Sequence, residues 1–297
     1  MRKNAFTLVE LLVVIVIIGL LAGLLLPAVN AVRHSAQKAA DGVEISQLDF
    51  ALQNFKEKFG EYPPDFADVD REVAMRQVRR FIAKAWPRCN RLPRDFRGTD
   101  LPANYNAGTA LAFWLGGRCN AALDPASGRW LTEYLGFSAD PQNPFDVDDA
   151  GDPLPETAPP GEPVRSTSRV NPFFRFPNNR IVGTPATNWA FWPQTYLQPT
   201  TGAGYVYFRA ENRAYATKGF PTLAYGAMVD GRVTTRPWLN PDSYQIRSCG
   251  RDGEWYPGET GGWGRALGYR ELFPANQPAP WADDMGNCWL GMMEDNL

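Results

Sequence analysis

One carboxylate near the start of the chain stands where an ionised group is costly. Glu10 lies directly before Leu11 to Val29, an uncharged and almost wholly apolar run of nineteen residues. At about 1.5 Å of rise per residue, a helix of that length crosses a hydrocarbon core about 30 Å thick. An acid in such a helix costs about 2.5–3.5 kcal/mol at the bilayer centre and less near an end, so its default interpretation is functional. The chemistry that Glu10 offers is attraction of a cation in a medium of low dielectric constant.

The residues around this run admit ordinary interpretations as well. Arg2 and Lys3 precede it, which predicts a cytoplasmic start and a remainder that faces the periplasm or the outside. A cleaved signal peptide is one alternative, because Val29-Asn30-Ala31 offers small or apolar residues to signal peptidase. The run is longer than the roughly 7–15 apolar residues of a signal peptide. A plain single-pass anchor is the other alternative, and neither explains Glu10.

The segment Ala5-Phe6-Thr7-Leu8-Val9-Glu10 resembles the processing site of type IV prepilins and type II secretion pseudopilins. The resemblance implies cleavage between Ala5 and Phe6 by a prepilin peptidase, which then methylates the new amine of Phe6. Glu10 becomes the fifth mature residue, whose charge attracts the N-terminal amine of a neighbouring subunit in a filament. The family usually has Gly before the cut, where this chain has Ala5. Implied partners are the peptidase, other pilin-like subunits in a homo- or hetero-filament, and the inner membrane.

Helix periodicity continues far beyond the apolar run. Apolar residues recur at steps of three and four up to Phe59, and Gly60 and Pro63-Pro64 end the pattern. We therefore predict a helix from Phe6 to Phe59, kinked or locally opened at Pro27. The Gly60-Glu61-Tyr62-Pro63 turn also resembles the exit of the pseudopilin helix.

The rest of the chain predicts an α+β fold, with the long helix, membrane-spanning in its first half, packed on a C-terminal antiparallel sheet with long irregular loops. Further helices are expected at 69–85 and 109–115, an extended edge segment at 171–176, and strands at 205–209, 214–217 and 243–248. We divide the chain into a leader (1–5), a transmembrane or filament-core helix (6–33), the helical part of the head (34–139), a Pro-rich loop region (140–200) and the β-sheet part of the head (201–297).

The four cysteines are Cys89, Cys119, Cys249 and Cys288, and no CxxC pair is present. A body outside the cytoplasm favours disulfides, for which three pairings exist. We predict Cys89 with Cys119 and Cys249 with Cys288; four unpaired thiols are the alternative.

Two acidic motifs near the C-terminus resemble linked motifs of major pseudopilins, Ser248-Cys249-Gly250-Arg251-Asp252-Gly253 and Asp283-Asp284-Met285-Gly286-Asn287-Cys288-Trp289. The resemblance implies a calcium ion held by Asp252, Asp283 and Asp284, whose hard oxygen atoms suit that ion. About thirty residues separate the motifs, more than the family leads us to expect. The alternative is a tight turn with acids that cap the final segment, and a Cys249–Cys288 disulfide could staple the same motifs.

Composition argues against several function classes. With 30 Lys and Arg against 32 Asp and Glu, the formal charge is -2. The sequence contains no strong basic patch, so nucleic-acid binding is not expected. No catalytic motif is present, and the single histidine, His34, lies next to the apolar run, so an enzyme is not expected. The acidic segment 146–152 lacks key ligands of a calcium loop and is interpreted as a solvated turn. The ten tryptophans leave one alternative function, a membrane-anchored or secreted envelope- or glycan-binding protein that does not polymerise.

Overall fold

In a computed structural model of the chain, one long helix leads into a mixed head. The structure describes residues 8–68, 70–123, 130–182, 194–199, 202, 204–215, 226–227, 240–248, 272–273 and 285–286. The described residues form three α-helices and ten short strands in the order α1, α2, α3 and then β1 to β10. The α+β class, with an N-terminal helix and small antiparallel sheets, is confirmed.

Helix α1 spans Leu8–Phe59, 52 residues, and is continuous through position 27. It ends where the local signals predict. Gly60 adopts a left-handed φ of 84°, and its amide donates to the Lys56 carbonyl at 2.7 Å. This is the conformation that glycine adopts without a steric penalty.

We predicted that the first half of α1 spans a membrane. Across the described ranges, no helix was found that is both long and apolar enough to cross one.

Two shorter helices pack beside α1. Helix α2 covers Arg71–Ala85 and begins at Asp70, whose carboxylate accepts the amides of Glu72 and Val73. This is a normal N-cap, and it starts the helix two residues later than the apolar pattern suggests. Helix α3, Ala110–Gly116, is buried along its whole length, as the apolar sequence predicts.

The strands form small sheets. The first sheet has the order β1-β2-β3, with β1 at Arg118–Leu123, β2 at Trp130–Ser138 and β3 at Arg169–Val170. The second has the order β10-β8-β6, with β6 at Val206–Arg209, β8 at Tyr244–Ser248 and β10 at Met285–Gly286. Strands β4 (Ile181–Val182) and β5 (Thr195–Tyr196) pair antiparallel, whereas β7 (Gly226–Ala227) and β9 (Leu272–Phe273) pair in parallel.

The β1–β2 hairpin is the main element that sequence periodicity does not predict. The segment 171–176, expected as an extended edge, is irregular and follows β3. Residues 214–217 were expected as a strand; Ala214 forms an isolated bridge with Glu211, and residues 216–217 lie outside the described residues. The Phe173 amide donates to the distant Leu115 carbonyl at 2.8 Å, whereas the Ala214 amide donates to the Glu211 carbonyl at 3.0 Å within a local turn.

An aromatic core joins the three helices. Phe55 of α1 lies within 6.4 Å, centroid to centroid, of four rings: Phe59, Phe81, Trp114 and Phe173. These stacked, edge and tilted contacts lie within the favourable centroid distances for aromatic pairs. The core thus fixes the second half of α1 in the head and leaves the first half outside it.

Candidate functional site: the long helix and its seat in the head

The first half of α1 presents an apolar surface that the head does not cover. Leu8 is 79% exposed and Leu20 is 64% exposed, and the large apolar residues around them are similarly open. Glu10 lies in the first turn of the helix, among these side chains, and is itself exposed. Contiguous apolar surface of this size on a soluble protein marks an interaction site. We call residues 8–29 the N-terminal apolar surface.

Seven of the predicted site residues cannot be placed. Ala5 and Phe6 lie outside the described residues, as do Asp252, Asp283, Asp284, Cys249 and Cys288. The cleavage site, the calcium ligands and the second disulfide therefore stay predictions. Among the described residues, no group of three or more His, Cys, Asp or Glu side chains is placed to hold a metal ion.

The second half of α1 is seated in the head through one apolar face. Ile45, Leu48, Leu52 and Phe55 are each 0% exposed. They recur at steps of three and four, the spacing of one helix face. The amphipathic pattern of this half therefore predicted its packing correctly.

A buried charge cluster marks the point where α1 enters the head. The carboxylate of Glu44 accepts two hydrogen bonds from the guanidinium of Arg180, one of them at 2.7 Å from Nη1 to Oε1. The hydroxyl of Tyr205 donates to Oε2 at 2.7 Å, and the hydroxyl of Tyr196 donates to Oε1. Only 11% of the Glu44 side chain and 17% of the Arg180 side chain is exposed. A fully bonded, bidentate pair of this kind holds two elements in one geometry.

The electrostatics of this cluster keep the two tyrosines and Arg180 protonated at neutral pH. Burial and the hydrogen bond to Glu44 raise the pKa of Tyr196, and burial and the charge of Glu44 raise the pKa of Tyr205. Burial works against the charge on Arg180, but its hydrogen bond and proximity to Glu44 outweigh burial and raise the pKa of Arg180. The guanidinium also lies 4.6 Å over the Tyr196 ring, a favourable cation–π distance. The cluster therefore joins α1 to the segment that contains β4 and β5 through an ion pair and hydrogen bonds.

Tyrosine hydroxyls make two further polar contacts with α1 and its exit turn. Tyr244 of β8 donates to Asp49 Oδ1 at 2.7 Å, and Tyr207 of β6 donates to the Pro63 carbonyl at 2.9 Å. Both rings are buried against the same side of the head. Together with the Glu44 cluster, they set the axial position and rotation of α1 relative to the head.

Asp65 joins the exit of α1 to strand β6. It is 6% exposed, and its carboxylate accepts the amides of Ala67 at 3.0 Å and Arg209 at 2.9 Å. Burial raises the pKa of Asp65 from 3.8 to about 6, although the hydrogen bonds from the two backbone amides and the charge of Arg209 lower it. The cost of removing this carboxylate from water is larger than the stabilisation that its hydrogen bonds and the charge of Arg209 provide.

Asp65 should make the folded state more stable at acid pH. Because its pKa is higher in the folded than in the unfolded chain, its contribution is complete below about pH 4 and is lost as the pH rises through about 6. This rise in the pKa of Asp65 on folding corresponds to about 3 kcal/mol of folding free energy. We expect urea titrations to show the free energy of unfolding falling by up to that amount between pH 4 and pH 7, and Asp65→Asn to remove this part of the pH dependence. The exposed acid variant Asp242→Asn should keep the wild-type slope; equal slopes in wild type and Asp65→Asn would contradict the prediction.

The acidic turn at 146–152 is neutralised by arginines from the segment before α3. The carboxylate of Asp148 accepts the amides of Ala150 and Asp152, both at 2.8 Å. Three side chains reach the turn: Arg91 contacts Asp149, Arg94 contacts Asp152, and Arg97 donates to the Asp149 carbonyl. The turn is thus bound by arginines rather than only by solvent.

The basic residues of α2 also form ion pairs and hydrogen bonds within the chain. Arg80 pairs with Glu211, Lys84 with Glu61 and Arg76 with Glu72. Arg71 donates to five carbonyls around the α2 N-terminus and residues 101–105, and Arg79 donates to those of Phe96 and Gly98. The basic residues of α2 therefore make their contacts within the head.

The predicted Cys89–Cys119 disulfide is not formed. Both residues are present as thiols, with Cys89 half-buried after α2 and Cys119 buried in β1. The Cys89 thiol donates to the Arg91 carbonyl at 3.3 Å, and burial raises its pKa. Proximity in sequence suggested this pair, but the two cysteines belong to different elements that the core holds independently.

Sequence reasoning missed the Glu44 cluster. Glu44 and Arg180 are 136 positions apart, and neither belongs to a motif. One signal was available: Glu44 lies on the apolar face of α1, next to Ile45 and Leu48, where a lone acid requires a partner. The identity of that partner could not be read from the sequence.

Comparisons with known proteins bear on the start of the chain and on its long helix. Residues 1–26 match the model of the family described as "Prokaryotic N-terminal methylation motif". Over 103 residues the chain is 34% identical to the type II secretion system core protein G of Pectobacterium carotovorum subsp. carotovorum. That match covers 33% of this chain and 65% of the relative, slightly less than two thirds of the relative's length. No solved structure matches the chain.

Proposed function

We propose that this chain, whose residues 1–26 match the N-terminal methylation motif, is a pseudopilin or minor-pilin subunit that assembles into a filament of a secretion or type IV pilus system. The observation that carries the proposal is the position of the motif. It leads directly into a helix whose apolar residues are exposed, and such a surface requires a partner.

The subunit would first be inserted in the inner membrane. Arg2 and Lys3 would hold the start of the chain in the cytoplasm, and the N-terminal apolar surface would face lipid before assembly and other subunits afterwards. The head would lie in the periplasm or outside. The similarity to a core protein of type II secretion supports this location.

Two residues carry the proposed processing and assembly. A prepilin peptidase would cut between Ala5 and Phe6 and methylate the Phe6 amine. Glu10 would then attract the amine of a neighbouring subunit, and this attraction is strong where water is excluded. A carboxylate left alone in such an interior is costly, so a subunit placed out of register is disfavoured. Glu10 would thereby set the axial position of each new subunit.

The packing of α1 in the head agrees with the role of a structural subunit. The Glu44 cluster and the aromatic core couple the helix rigidly to the head, so helix packing would fix how each head is displayed. The roles of this family are structural rather than enzymatic. The alternative, a Trp-rich head that binds glycans, is not favoured: Trp86 and Trp114, whose side chains are described, are both buried in the core.

Mass spectrometry of the mature protein tests the processing step. We expect the chain to begin at a methylated Phe6. A start at Val32 would indicate an ordinary signal peptide and overturn the proposal. Glu10→Ala should be processed normally but should enter filaments at least about tenfold less well, because one well-placed charge contact is worth more than 1.4 kcal/mol in a low dielectric. Arg33→Ala, beyond the apolar surface on the same helix, is the control; unchanged incorporation of Glu10→Ala would contradict the register role.

A further inference from the structure

A proline-rich segment forms an exposed loop between the acidic turn and β3. Residues 155–164 contain four prolines, and all ten residues except the half-buried Ala158 are exposed. The backbone amide of Arg165 donates to the Pro155 carbonyl at 2.9 Å, so the two ends of the segment lie together. A compact surface segment whose ends meet in this way is an Ω-loop, a class that is frequently functional. We call residues 155–164 the Ω-loop.

The tip of the Ω-loop is a tight turn with a restricted backbone. The Glu162 amide donates to the Pro159 carbonyl at 3.1 Å, and Gly161 has a φ of 96°. Proline at the second position and a glycine of positive φ at the third are typical of a type II turn. Pro160 occupies the second position, and its ring restricts φ to about −65°. The tip therefore loses little conformational freedom when it binds a partner.

The base of the Ω-loop is held by buried charged groups. Arg118, 5% exposed, donates to the carbonyls of Asp146 and Leu154, the first at 2.9 Å. The carboxylate of Asp146, itself 3% exposed, pairs with Arg169 and accepts the Ser166 amide at 3.1 Å. Buried ions are costly unless they are well paired, so few loops are closed in this way. Because Leu154 and Ser166 lie on either side of the Ω-loop, these contacts fix the backbone at both of its ends.

The charge of the Ω-loop is negative. Its charged residues are Glu156 and Glu162. Glu156 pairs with Arg165 at 2.7 Å, and that arginine, 16% exposed, also donates to Asn120 of β1 at 2.7 Å. Glu162 is exposed at the tip, and within the part of the chain that the structure describes it has no ion-pair partner. The Glu162 carboxylate is thus available to a cation of another molecule.

This combination of shape and charge favours a protein partner over a membrane or a nucleic acid. An anionic lipid surface and a phosphate backbone would both repel Glu162. Proline-rich segments bind in aromatic-lined grooves of proteins, where their preformed shape lowers the entropy cost of binding. Val164, 46% exposed, adds an apolar side chain beside the proline rings. A cation at the rim of such a groove would complement Glu162.

We propose that the Ω-loop is a docking element for another protein, one that presents an aromatic-lined groove with a Lys or Arg at its rim. The proline rings and Val164 would enter the groove, and Glu162 would pair with the cation. The buried contacts of Arg118 and Asp146 would hold the loop in its binding shape before the partner arrives, which lowers the cost of association. This contact goes beyond assembly through the N-terminal apolar surface and does not depend on it, because the Ω-loop belongs to the head.

Photo-cross-linking in cells that produce the full chain tests the contact. The photoreactive residue p-benzoylphenylalanine at position 164 should give a product that joins this chain to a second protein. The same residue at position 182 is the matched control, because Val164 and Val182 are both 46% exposed. Mass spectrometry of the product should find aromatic residues and a Lys or Arg in the cross-linked segment of the partner.

Three results of this experiment would overturn the proposal. The first is that position 164 gives no product beyond those of position 182. The second is a product that joins only two copies of this chain. The third is a cross-linked segment of the partner that lacks aromatic and basic residues.

Two substitutions test the charge and the shape of the tip separately. Glu162→Arg should lower the yield of the cross-linked product about tenfold, whereas Glu162→Asp should stay within about twofold of wild type. Gly161→Val should lower the yield by a similar factor, because a β-branched residue is strained at a φ of 96°. Glu162 is exposed, so Glu162→Arg should keep the urea denaturation midpoint of wild type, and unfolding cannot explain its loss of product. An undiminished yield in Glu162→Arg or in Gly161→Val would contradict the docking contact.

The outcomes separate this inference from the proposed function. If wild type begins at Phe6 and assembles, but position 164 gives no specific product, the docking element is wrong and the function stands. If the mature chain does not begin at Phe6, but the product forms and depends on Glu162, the proposed function fails and the docking element stands.

Discussion

Replacing Glu44 by alanine is expected to destabilise the folded head by about 3–5 kcal/mol, because it leaves the guanidinium of Arg180 buried without its counter-charge. Two tyrosine hydroxyls, those of Tyr196 and Tyr205, lose their acceptor in the same step. A typical domain has about 5–15 kcal/mol of stability in total, so the loss is a large share of it. Urea denaturation followed by tryptophan fluorescence measures the effect.

A control and a double variant make the Glu44 prediction specific. Glu57→Ala removes an exposed acid from the same helix and should change stability by less than about 0.5 kcal/mol. Glu44→Leu/Arg180→Met replaces the pair by apolar side chains and should recover much of the loss, since the cost lies in the uncompensated charge. If the single and double variants are equally unstable, the ion pair is not the source of the effect.

Replacing Phe55 by alanine is the second large expected change, with a loss of about 3–5 kcal/mol. Phe55 is fully buried, and its ring contacts Phe81 of α2 and Trp114 of α3, so one side chain joins all three helices. The cavity would open where those elements meet and could not collapse without moving α1. We also expect the variant head to lose its fixed position on the long helix.

The chain offers a matched control five residues earlier. Phe50→Ala makes the same chemical change on the same helix, but at a side chain that is 65% exposed. Its effect on the free energy of unfolding should stay within about 0.5 kcal/mol. The two variants should thus separate cleanly: Phe55→Ala lowers stability strongly, and Phe50→Ala leaves it close to that of wild type. Comparable denaturation midpoints for the two would contradict the assignment of one face to the core and the other to the exposed surface.

Local signals in the sequence predicted the boundaries of the helical part well. Gly60 and the prolines after it end α1, and the apolar run from Thr109 marks α3. These features depend on backbone preferences and on neighbours within one or two turns. The processing motif at the N-terminus is local in the same sense. The β1–β2 hairpin escaped prediction because its strands lack clear alternation, and β1 directly follows a glycine pair.

By itself, the sequence determined the N-terminal methylation motif, the long helix with its apolar start, and the general α+β order. Tertiary structure alone decided which acids are buried and what they contact. Glu44 meets Arg180 across 136 positions, and Asp65 meets the amide of Arg209 across 144. The pKa of Asp65 and the worth of the Glu44 pair depend on desolvation, and desolvation is set by everything that packs around a side chain. The periodicity of α1 predicted the face on which Phe55 is buried, whereas the fold showed that Phe50 is 65% exposed.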